Sequence, residues 1–428
     1  NILSHCDSWS LSQWLCYLET IHSKEIDMGL SRIGQVAKRL NIDVSFAKVI
    51  TVAGTNGKGT TCAFIENSLL ANKHSVAVYS SPHIKMFNER LRFNKGDVAD
   101  PYWVDALAKI ERARGEISLT YYEYTTLGAL LILMALSPEF IILEVGLGGR
   151  LDATNIIDAD IGVITSIDLD HQAFLGDTRE AIGYEKAGIF RANQVAIIGD
   201  TNVPNSVLDY IGELGCKAYI RDRDFSISTS NPSHWSWQYS NNCIQELPVP
   251  HIPIDNVATA LTVLATLDTP MNTSLISQVI EQTKVPGRTE IFRHGSDKYG
   301  GDTFTSDIML DVGHNPHAAR YLKDLLPSRG YAKIHGVLAM LKDKDASATI
   351  EAISPVIDDW YFAALEGDRA MSVEQMNDVA QKQGISGNCF DNVIEAFKMA
   401  QQQASSDELV LVFGSFFTVA QIRPLLVE

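Results

Sequence analysis

Residues 52–70, VAGTNGKGTTCAFIENSLL, constrain the fold more than any other part of the chain. A β-branched run, KVITVAG, enters a glycine-rich turn, and a segment with helical character follows over 58–71. Strand, tight turn and helix in that order put backbone N–H groups and a helix N-terminus around an anion, and a lysine at the turn adds a point charge. The usual phosphate-loop spacing, GxxxxGK[ST], is not met. Val52 stands where its first glycine belongs, and Gly59 separates Lys58 from Thr60. Gly54, Gly57, Lys58, Gly59 and Thr60 still supply the physical parts of a phosphate site, and a glycine turn of purely structural purpose is the weaker reading.

The rest of the first half continues the same rhythm. A strand over 75–79 completes a βαβ opening, and apolar runs recur at 140–146 (FIILEVG), 161–167 (IGVITSI) and 194–199 (QVAIIG). Apolar spacing predicts helices over 11–22, 30–40, 255–267 and 273–283, while 225–250 alternates like short antiparallel strands at the sheet edge. KVPGRTE at 284–290 and the polar, glycine-containing segment after it break the pattern. Beyond them strands at 308–313, 333–341, 360–365 and 408–414 alternate with helices near 316–326, 345–354, 373–383 and 392–403. The predicted class is α/β: a phosphate-loop-containing doubly wound sheet domain over 1–286 and a smaller, Rossmann-like α/β domain over 287–428.

Bulk properties narrow the partners. Lys and Arg number 35 and Asp and Glu 52, a formal charge of −17, which argues against nonspecific nucleic-acid or anionic-membrane binding. The longest apolar run, LGALLILMAL at 127–136, is about half a bilayer span and reads as a buried helix. Six scattered cysteines without zinc spacing read as reduced thiols, and no secretory signal is visible, so a cytoplasmic location is expected.

Three further residues stand where chemistry is done in α/β proteins. Glu144 ends an apolar strand and so reaches the carboxyl edge of the sheet, where the Mg²⁺ of a nucleotide needs hard oxygen ligands. His171 follows another buried strand, and Lys186 sits in the apolar-flanked IGYEKAGIF, where an ammonium is poorly solvated. Each alone has a bland alternative: a turn cap, a structural histidine, a snorkelling lysine.

Together with these, the ordered series AGTNGKGTT, YSSPHI, LTYYEYTTL, EVGLGGRLDATN, EKAGIF, PGR, DVGHNPHA and VFGSFFTV resembles the folylpolyglutamate synthases of the Mur ligase superfamily, in particular the bacterial bifunctional dihydrofolate synthase/folylpolyglutamate synthases. The resemblance covers nearly the whole chain. It implies that Asn56, Gly57, Lys58, Gly59, Thr60, Asn256, Arg288 and Asp311 contact ATP, with His314 a weaker candidate. Ser81, Glu144 and His171 would ligate magnesium, and Lys186 would be the lysine that CO₂ carbamylates to support a second Mg²⁺. Lys58, His171 and Lys186 would be the catalytic set. The pterin would lie against Asp27, Met28, Gly29, Leu30, against Thr120, Tyr121, Tyr122, Glu123, and against Leu151, Asp152, Ala153. In that pocket Tyr122 is suited to stacking and Asp152 to accepting N–H groups. Residues 80–94, with Lys85, Arg90 and Arg92, would form a mobile loop beside the folate tail. Two departures stand out: the segment between Arg288 and Asp311 is longer than usual, and Gly313 replaces a common alanine.

The implied reaction is ATP-dependent amide ligation. Phosphorylation of a pteroate or folate carboxyl gives an acyl phosphate that the amino group of L-glutamate attacks, with domain closure excluding water. The partners implied are ATP, L-glutamate, 7,8-dihydropteroate and reduced folates, with two Mg²⁺ sites and a monomeric chain. Alternatives are a folylpolyglutamate synthase without the dihydropteroate activity and a phosphate-loop nucleotide-binding protein that is not a ligase. A peptidoglycan Mur ligase is disfavoured, since about fifty residues before the loop are too few for its UDP-binding domain.

Overall fold

The computed structural model describes residues 6–269, 272–295, 298–299 and 302–427. It divides into two units, Asn1–Ile167 with Leu175–Thr283, and Asp168–Phe174 with Lys284–Glu428.

Eight strands form the main sheet of the first unit, the inner ones rich in Val and Ile and buried on both faces. They are β1 (Lys48–Ala53), β2 (Val76–Tyr79), β3 (Leu91–Phe93), β4 (Gly96–Asp97), β5 (Phe140–Glu144), β6 (Ile161–Ile164), β7 (Val195–Ile198) and β8 (Lys217–Ile220). They form one sheet in the order β4-β3-β2-β5-β1-β6-β7-β8. Six neighbouring strands pair in parallel, and at one edge β3 runs antiparallel to both β2 and β4. Strand β1 sits between β5 and β6, so the connections leave it on both sides and open a crevice at its carboxyl end. The phosphate loop emerges there.

Helices α1 (Leu11–Leu18), α2 (Ser31–Arg39), α3 (Lys58–Ala71), α4 (Asp100–Arg114), α5 (Tyr121–Leu136), α6 (Gln172–Leu175), α7 (Arg179–Ala187), α8 (Asn205–Leu214), α9 (Ile254–Thr266) and α10 (Thr273–Gln282) complete this half of the chain. Helix α5 is apolar on nearly every side and is a core helix, packed with Trp14, Trp103 and Phe87 in one cluster. A Cβ on its Gly128 would come within 3.1 Å of Trp103, so α4 and α5 approach closely. Among the described residues no helix is long and apolar enough to cross a membrane.

Two expectations are corrected and one is borne out. Helix α1 stops at Leu18 rather than continuing to residue 22, because His22 turns away to meet Asp27, its Nε2 lying 3.0 Å from Asp27 Oδ2. Residues 225–250 form the small antiparallel layer expected of them. Strands β9 (Phe225–Asn231), β10 (His234–Tyr239) and β11 (Asn242–Pro248) make a separate antiparallel sheet that buries Trp235 and Trp237, and the Trp237 indole donates to Thr262 Oγ1 on α9 at 3.2 Å. The stretch after Ser81 is no plain loop: it contains a 3₁₀ turn at Phe87–Arg90 and continues into β3 and β4.

The second unit has β12 (Glu290–Phe292), the short pair β13 (Lys298–Tyr299) and β14 (Asp302–Thr303), then β15 (Asp307–Asp311), β16 (Ile334–Leu338), β17 (Asp359–Ala363), β18 (Gly387–Phe390) and β19 (Leu409–Phe413). Its main sheet runs β12-β15-β19-β16-β17-β18, parallel except for β12. Helices α11 (Pro316–Leu325), α12 (Ala346–Ile353), α13 (Val373–Lys382), α14 (Val393–Gln403) and α15 (Phe416–Leu426) alternate with these strands. Within the long segment between Arg288 and Asp311, residues 296, 297, 300 and 301 lie outside the described residues.

Candidate active site

The turn between β1 and α3 owes its shape to two glycines. Gly54 has φ +151°, and a Cβ there would fall 1.8 Å from Thr165 Oγ1. Gly57 has φ +89°, and its Cβ would run into the Asn256 side chain at 2.5 Å. Both are therefore positions only glycine fills. The turn is tied to the end of β6: Thr55 N–H donates to the Ser166 carbonyl at 2.9 Å, Asn56 N–H to Ser166 Oγ at 3.1 Å, and Thr165 Oγ1 to the Asn56 carbonyl at 2.6 Å. Thr165 and Ser166 had no motif to mark them. Lys58 Nζ bends back to the Gly54 carbonyl at 2.9 Å, and Asn256 Nδ2, from α9, donates to Thr60 Oγ1 at 2.9 Å. Asn256 thus joins Gly57 and Thr60 from a position some two hundred residues away.

Glu144 ends β5 beside β1 and is 5 % exposed. A Cβ on Gly59 would lie 4.0 Å from Glu144 Oε1. The first turn of α3 and the carboxylate therefore border the same space, and an oxygen donor set of Glu144 with the Ser81 hydroxyl after β2, the other neighbour of β5, fits a hard divalent cation. Lys186, in the last turn of α7, is 3 % exposed. The GLGG loop rests on the same turn: Arg150 N–H donates to the Glu185 carbonyl at 2.7 Å, and Arg150 pairs with the Glu185 carboxylate at 3.0 Å.

The three stretches expected to meet the pterin, 27–30, 120–123 and 151–153, come together in the first unit. Thr120 caps α5 in a reciprocal box with Glu123. The Tyr122 hydroxyl donates to Asp152 Oδ2 at 3.0 Å, its ring stacks on Tyr79 with centroids 6.3 Å apart, and burial followed by the Asp152 charge pushes its phenol well up. A Cβ on Gly148 would reach Met28 Cε at 3.9 Å, which places the 27–30 turn near the GLGG loop. Gly29 has φ +145° and Leu30 leads into α2. Leu151 is half-buried and Ala153 buried in the turn that follows. Arg90 lies over the Tyr121 ring, 5.5 Å from its centroid, and donates to His83 Nδ1 at 2.9 Å. Arg92 is not a loop cation: it makes a two-point ion pair with Glu66, at 3.0 and 3.2 Å. Lys85 takes part through its backbone N–H, which Glu89 accepts at 2.9 Å.

Asp152, expected to accept pterin N–H groups, already has several donors in the protein. Its Oδ1 takes the Gly146 and Leu147 N–H groups at 3.1 and 2.9 Å, and its Oδ2 takes Thr154 N–H at 3.1 Å and Thr154 Oγ1 at 2.6 Å besides Tyr122. Burial raises its carboxyl, and the hydrogen bonds from Thr154, Leu147 and Tyr122 oppose that rise. Asp27 is held below the usual carboxylate range, first by the His22 hydrogen bond and then, against some burial, by Arg32.

In the second unit, Asp311 ends β15 buried, with Oδ2 accepting Thr289 N–H at 2.9 Å and Oδ1 accepting Gly313 N–H at 2.8 Å. Burial raises its carboxyl, partly offset by Arg288. An alanine Cβ at 313 would press on Asp311 Oδ1 at 2.6 Å, so glycine there suits the local bend. Arg288 lies over Phe416, 5.3 Å from the ring centroid. His171, with φ +48°, belongs to the segment grouped with this unit. Beside it Asp170 accepts from His314 Nε2 at 3.2 Å, Asn315 Nδ2 at 3.1 Å and Lys344 Nζ at 3.1 Å. Burial would raise Asp170, but the His314 hydrogen bond and the His314, His171 and Lys344 charges hold it far below the carboxylate range. Ligand atoms of Asp170, His171 and His314 lie within 4.8 Å of one another. Asp170 and Lys344 carried no motif of their own in sequence.

Residues 52–244 match the Mur ligase middle domain and residues 297–416 the Mur ligase glutamate ligase domain. The chain is 42 % identical over 419 residues to a dihydrofolate synthase/folylpolyglutamate synthase of Escherichia coli strain K12, covering 97 % of this chain and 95 % of that protein. A solved structure of E. coli FolC in complex with DHPP and ADP superposes with a TM-score of 0.91 at 41 % identity over 98 % of both chains. A crystal structure of a bifunctional folylpolyglutamate synthase/dihydrofolate synthase with Mn, AMPPNP and L-glutamate bound gives 0.88 at 42 % identity, again over 98 % of both chains.

Proposed function

Because the chain belongs to the Mur ligases and, within them, to the bifunctional dihydrofolate synthase/folylpolyglutamate synthases, we propose a division of its chemistry among the residues described above. The enzyme is an ATP-dependent glutamate ligase, joining L-glutamate to dihydropteroate and to reduced folates. The observation that carries the assignment of parts is the phosphate loop bordered by Glu144 in the same unit as the three converging acceptor stretches.

A carboxylate does not condense with an amine at neutral pH because oxide is a poor leaving group. One acceptor carboxylate oxygen therefore takes the γ-phosphoryl group of ATP, the bond to the β-phosphate oxygen breaks, and ADP leaves. The amino nitrogen of L-glutamate then adds to the acyl carbon. Phosphate departs with the acyl oxygen, and the nitrogen gives up a proton. Phosphoryl transfer is accelerated chiefly by positioning and by neutralising charge on the phosphoryl oxygens. Lys58 and the N–H groups of Gly57, Lys58, Gly59 and Thr60 carry that role, with Asn56 and Asn256 fixing the loop and Arg288 and Asp311 as further nucleotide contacts. Ser81, Glu144 and His171 hold Mg²⁺, which when bound supplies positive charge at the phosphates. Lys186 is the carbamylation site for a second Mg²⁺, a reading supported by its burial in the last turn of α7. Residues 27–30, 120–123 and 151–153 form the acceptor pocket. Residues 1–286 act as the ATP- and folate-binding domain and 287–428 as the glutamate-ligase domain. A cytoplasmic location agrees with the use of ATP and with six cysteines that form no disulfide.

The test follows glutamate-dependent ADP release with dihydropteroate and tetrahydrofolate supplied separately, in the wild type and in Lys58→Ala. Both acceptors should support release in the wild type. Lys58→Ala should lose ligation with both while still binding dihydropteroate, and near-normal turnover in that variant refutes the phosphate-loop assignment.

A further inference from the structure

The acceptor stretches at 27–30 and 120–123 are held at a common spacing by a side chain outside both. Arg32 lies in the first turn of α2. Its Nη1 donates to the Ser118 carbonyl at 3.0 Å and to Glu123 Oε1 at 2.6 Å. Its Nη2 donates to the Asp27 carbonyl at 2.8 Å and lies 3.4 Å from Asp27 Oδ2. Glu123 is 4 % exposed, and the same Oε1 accepts Thr120 N–H at 2.9 Å, so the carboxylate that meets Arg32 also caps α5. His22 closes the ring from the other side, bonding Asp27 Oδ2 through Nε2 and the Ser118 hydroxyl through Nδ1.

We propose that Arg32 is a positioning residue for the folate acceptor: its fork clamps the 27–30 turn to the N-terminus of α5 and so sets the width of the pterin pocket. The proposal rests on the reading of 27–30 and 120–123 as part of that pocket. Its physical basis is geometric. Four acceptors from three residues in two stretches of chain, two of them backbone carbonyls, converge on two guanidinium nitrogens, a pattern that a planar fork satisfies and a single ammonium does not. Without the fork, Glu123 keeps a buried charge with only the Thr120 N–H and Asp27 loses its second cation, so the turn and the helix end part or shift. Nothing in this ring belongs to the phosphate loop. Acceptor affinity therefore separates from nucleotide affinity, as it would not if Arg32 served general stability alone.

The experiment measures equilibrium binding of dihydropteroate and of AMPPNP to the full chain in the wild type, Arg32→Lys and Arg32→Gln, with KM and kcat for each substrate. Dihydropteroate Kd should rise about tenfold or more in both variants, AMPPNP Kd should stay within about twofold, and kcat at saturating acceptor should fall by no more than about threefold. His22→Gln, which loosens Asp27 from the opposite side, should raise dihydropteroate Kd by about two- to fivefold and serves if the Arg32 variants do not fold. Unchanged dihydropteroate Kd in Arg32→Gln, recovery of wild-type affinity by lysine, or a parallel rise in both Kd values overturns the proposal. If the Arg32 variants do not fold, unchanged dihydropteroate Kd in His22→Gln overturns it. A wild type that binds no dihydropteroate instead defeats the pocket reading on which it rests.

Discussion

Gly59 offers a sharp separation of stability from activity. It is the second residue of α3, and a Cβ added there meets only Glu144 Oε1, at 4.0 Å. That is ordinary van der Waals contact, and exchanging a helical glycine for alanine gains roughly 0.5–1 kcal/mol through the unfolded chain. Gly59→Ala should therefore melt no lower than the wild type. The new methyl nevertheless occupies space between the first turn of α3 and the Glu144 carboxylate, where an ion bound through oxygen at about 2.1 Å, with its remaining waters, needs room. The Mg²⁺ concentration for half-activation should rise about tenfold, equal to about 1.4 kcal/mol of lost binding. Gly54→Ala supplies the contrast: at φ +151° and 1.8 Å from Thr165 Oγ1, its methyl should cost about 2–4 kcal/mol of stability. The assay is ADP release across a Mg²⁺ titration, paired with thermal melts of both variants. A Gly59→Ala enzyme with unchanged Mg²⁺ activation and turnover refutes the placement of the metal beside Glu144, and one that melts clearly lower refutes the packing argument.

Two further outcomes follow from buried charge and hydrogen bonding. His83 is held down to about 4, from 6.5, by burial and then by Arg90, whose Nε donates to its Nδ1. Between pH 6.5 and 4 the unfolded chain binds the proton that the folded one refuses, so this stability is present above 6.5 and lost as pH falls through that window. After solvent screening it amounts to about 1–2 kcal/mol; urea midpoints at stepped pH should show the slope in the wild type and not in His83→Gln, and an equal slope in both contradicts the assignment. Arg92→Met should lower stability by about 3–5 kcal/mol, because it leaves Glu66 buried at 2 % exposure without its cation. Adding Glu66→Gln should restore most of that loss in denaturant titrations, and no recovery means the arginine acts through packing instead.

The parts of the fold legible in sequence are those whose signal is local. The β1 strand, its glycines and Lys58 are contiguous, and strand-end residues such as Glu144 inherit their place from the apolar run before them. The hairpin of β3 and β4 was harder to see because only half its turn chemistry is present. Asn94 and Lys95 both take positive φ, 48° and 71°, as a two-residue hairpin demands, but lysine gives no sign of it. Arg32, Thr165, Ser166 and Asp170 were invisible for another reason: each acts on a partner tens to more than a hundred residues away, and no spacing rule spans such gaps. The end of α1 was misplaced on the same account, since His22 answers to Asp27 and Ser118 rather than to its own helix.

The electrostatics of the first unit follow from which cations already have partners. An acidic chain that handles ATP, folates and glutamate needs positive potential at its site, yet Arg92 is paired with Glu66, Arg32 with Glu123 and Asp27, and Arg150 with Glu185. These arginines shape the walls more than they attract anions. Lys58, whose ammonium bonds the Gly54 carbonyl, sits at the mouth of the helix N-terminus and adds its charge to oriented N–H groups. On the acceptor side the carboxylates are likewise engaged in structure. Asp152 already takes five donors, more than its roughly four lone-pair directions serve well, so on the proposed reading a pterin N–H would compete with Thr154, Tyr122 and the 146–147 backbone. On the proposed reading, anion binding in this unit rests on the backbone cradle, Lys58 and a divalent ion, with the surrounding ion pairs holding the walls in register.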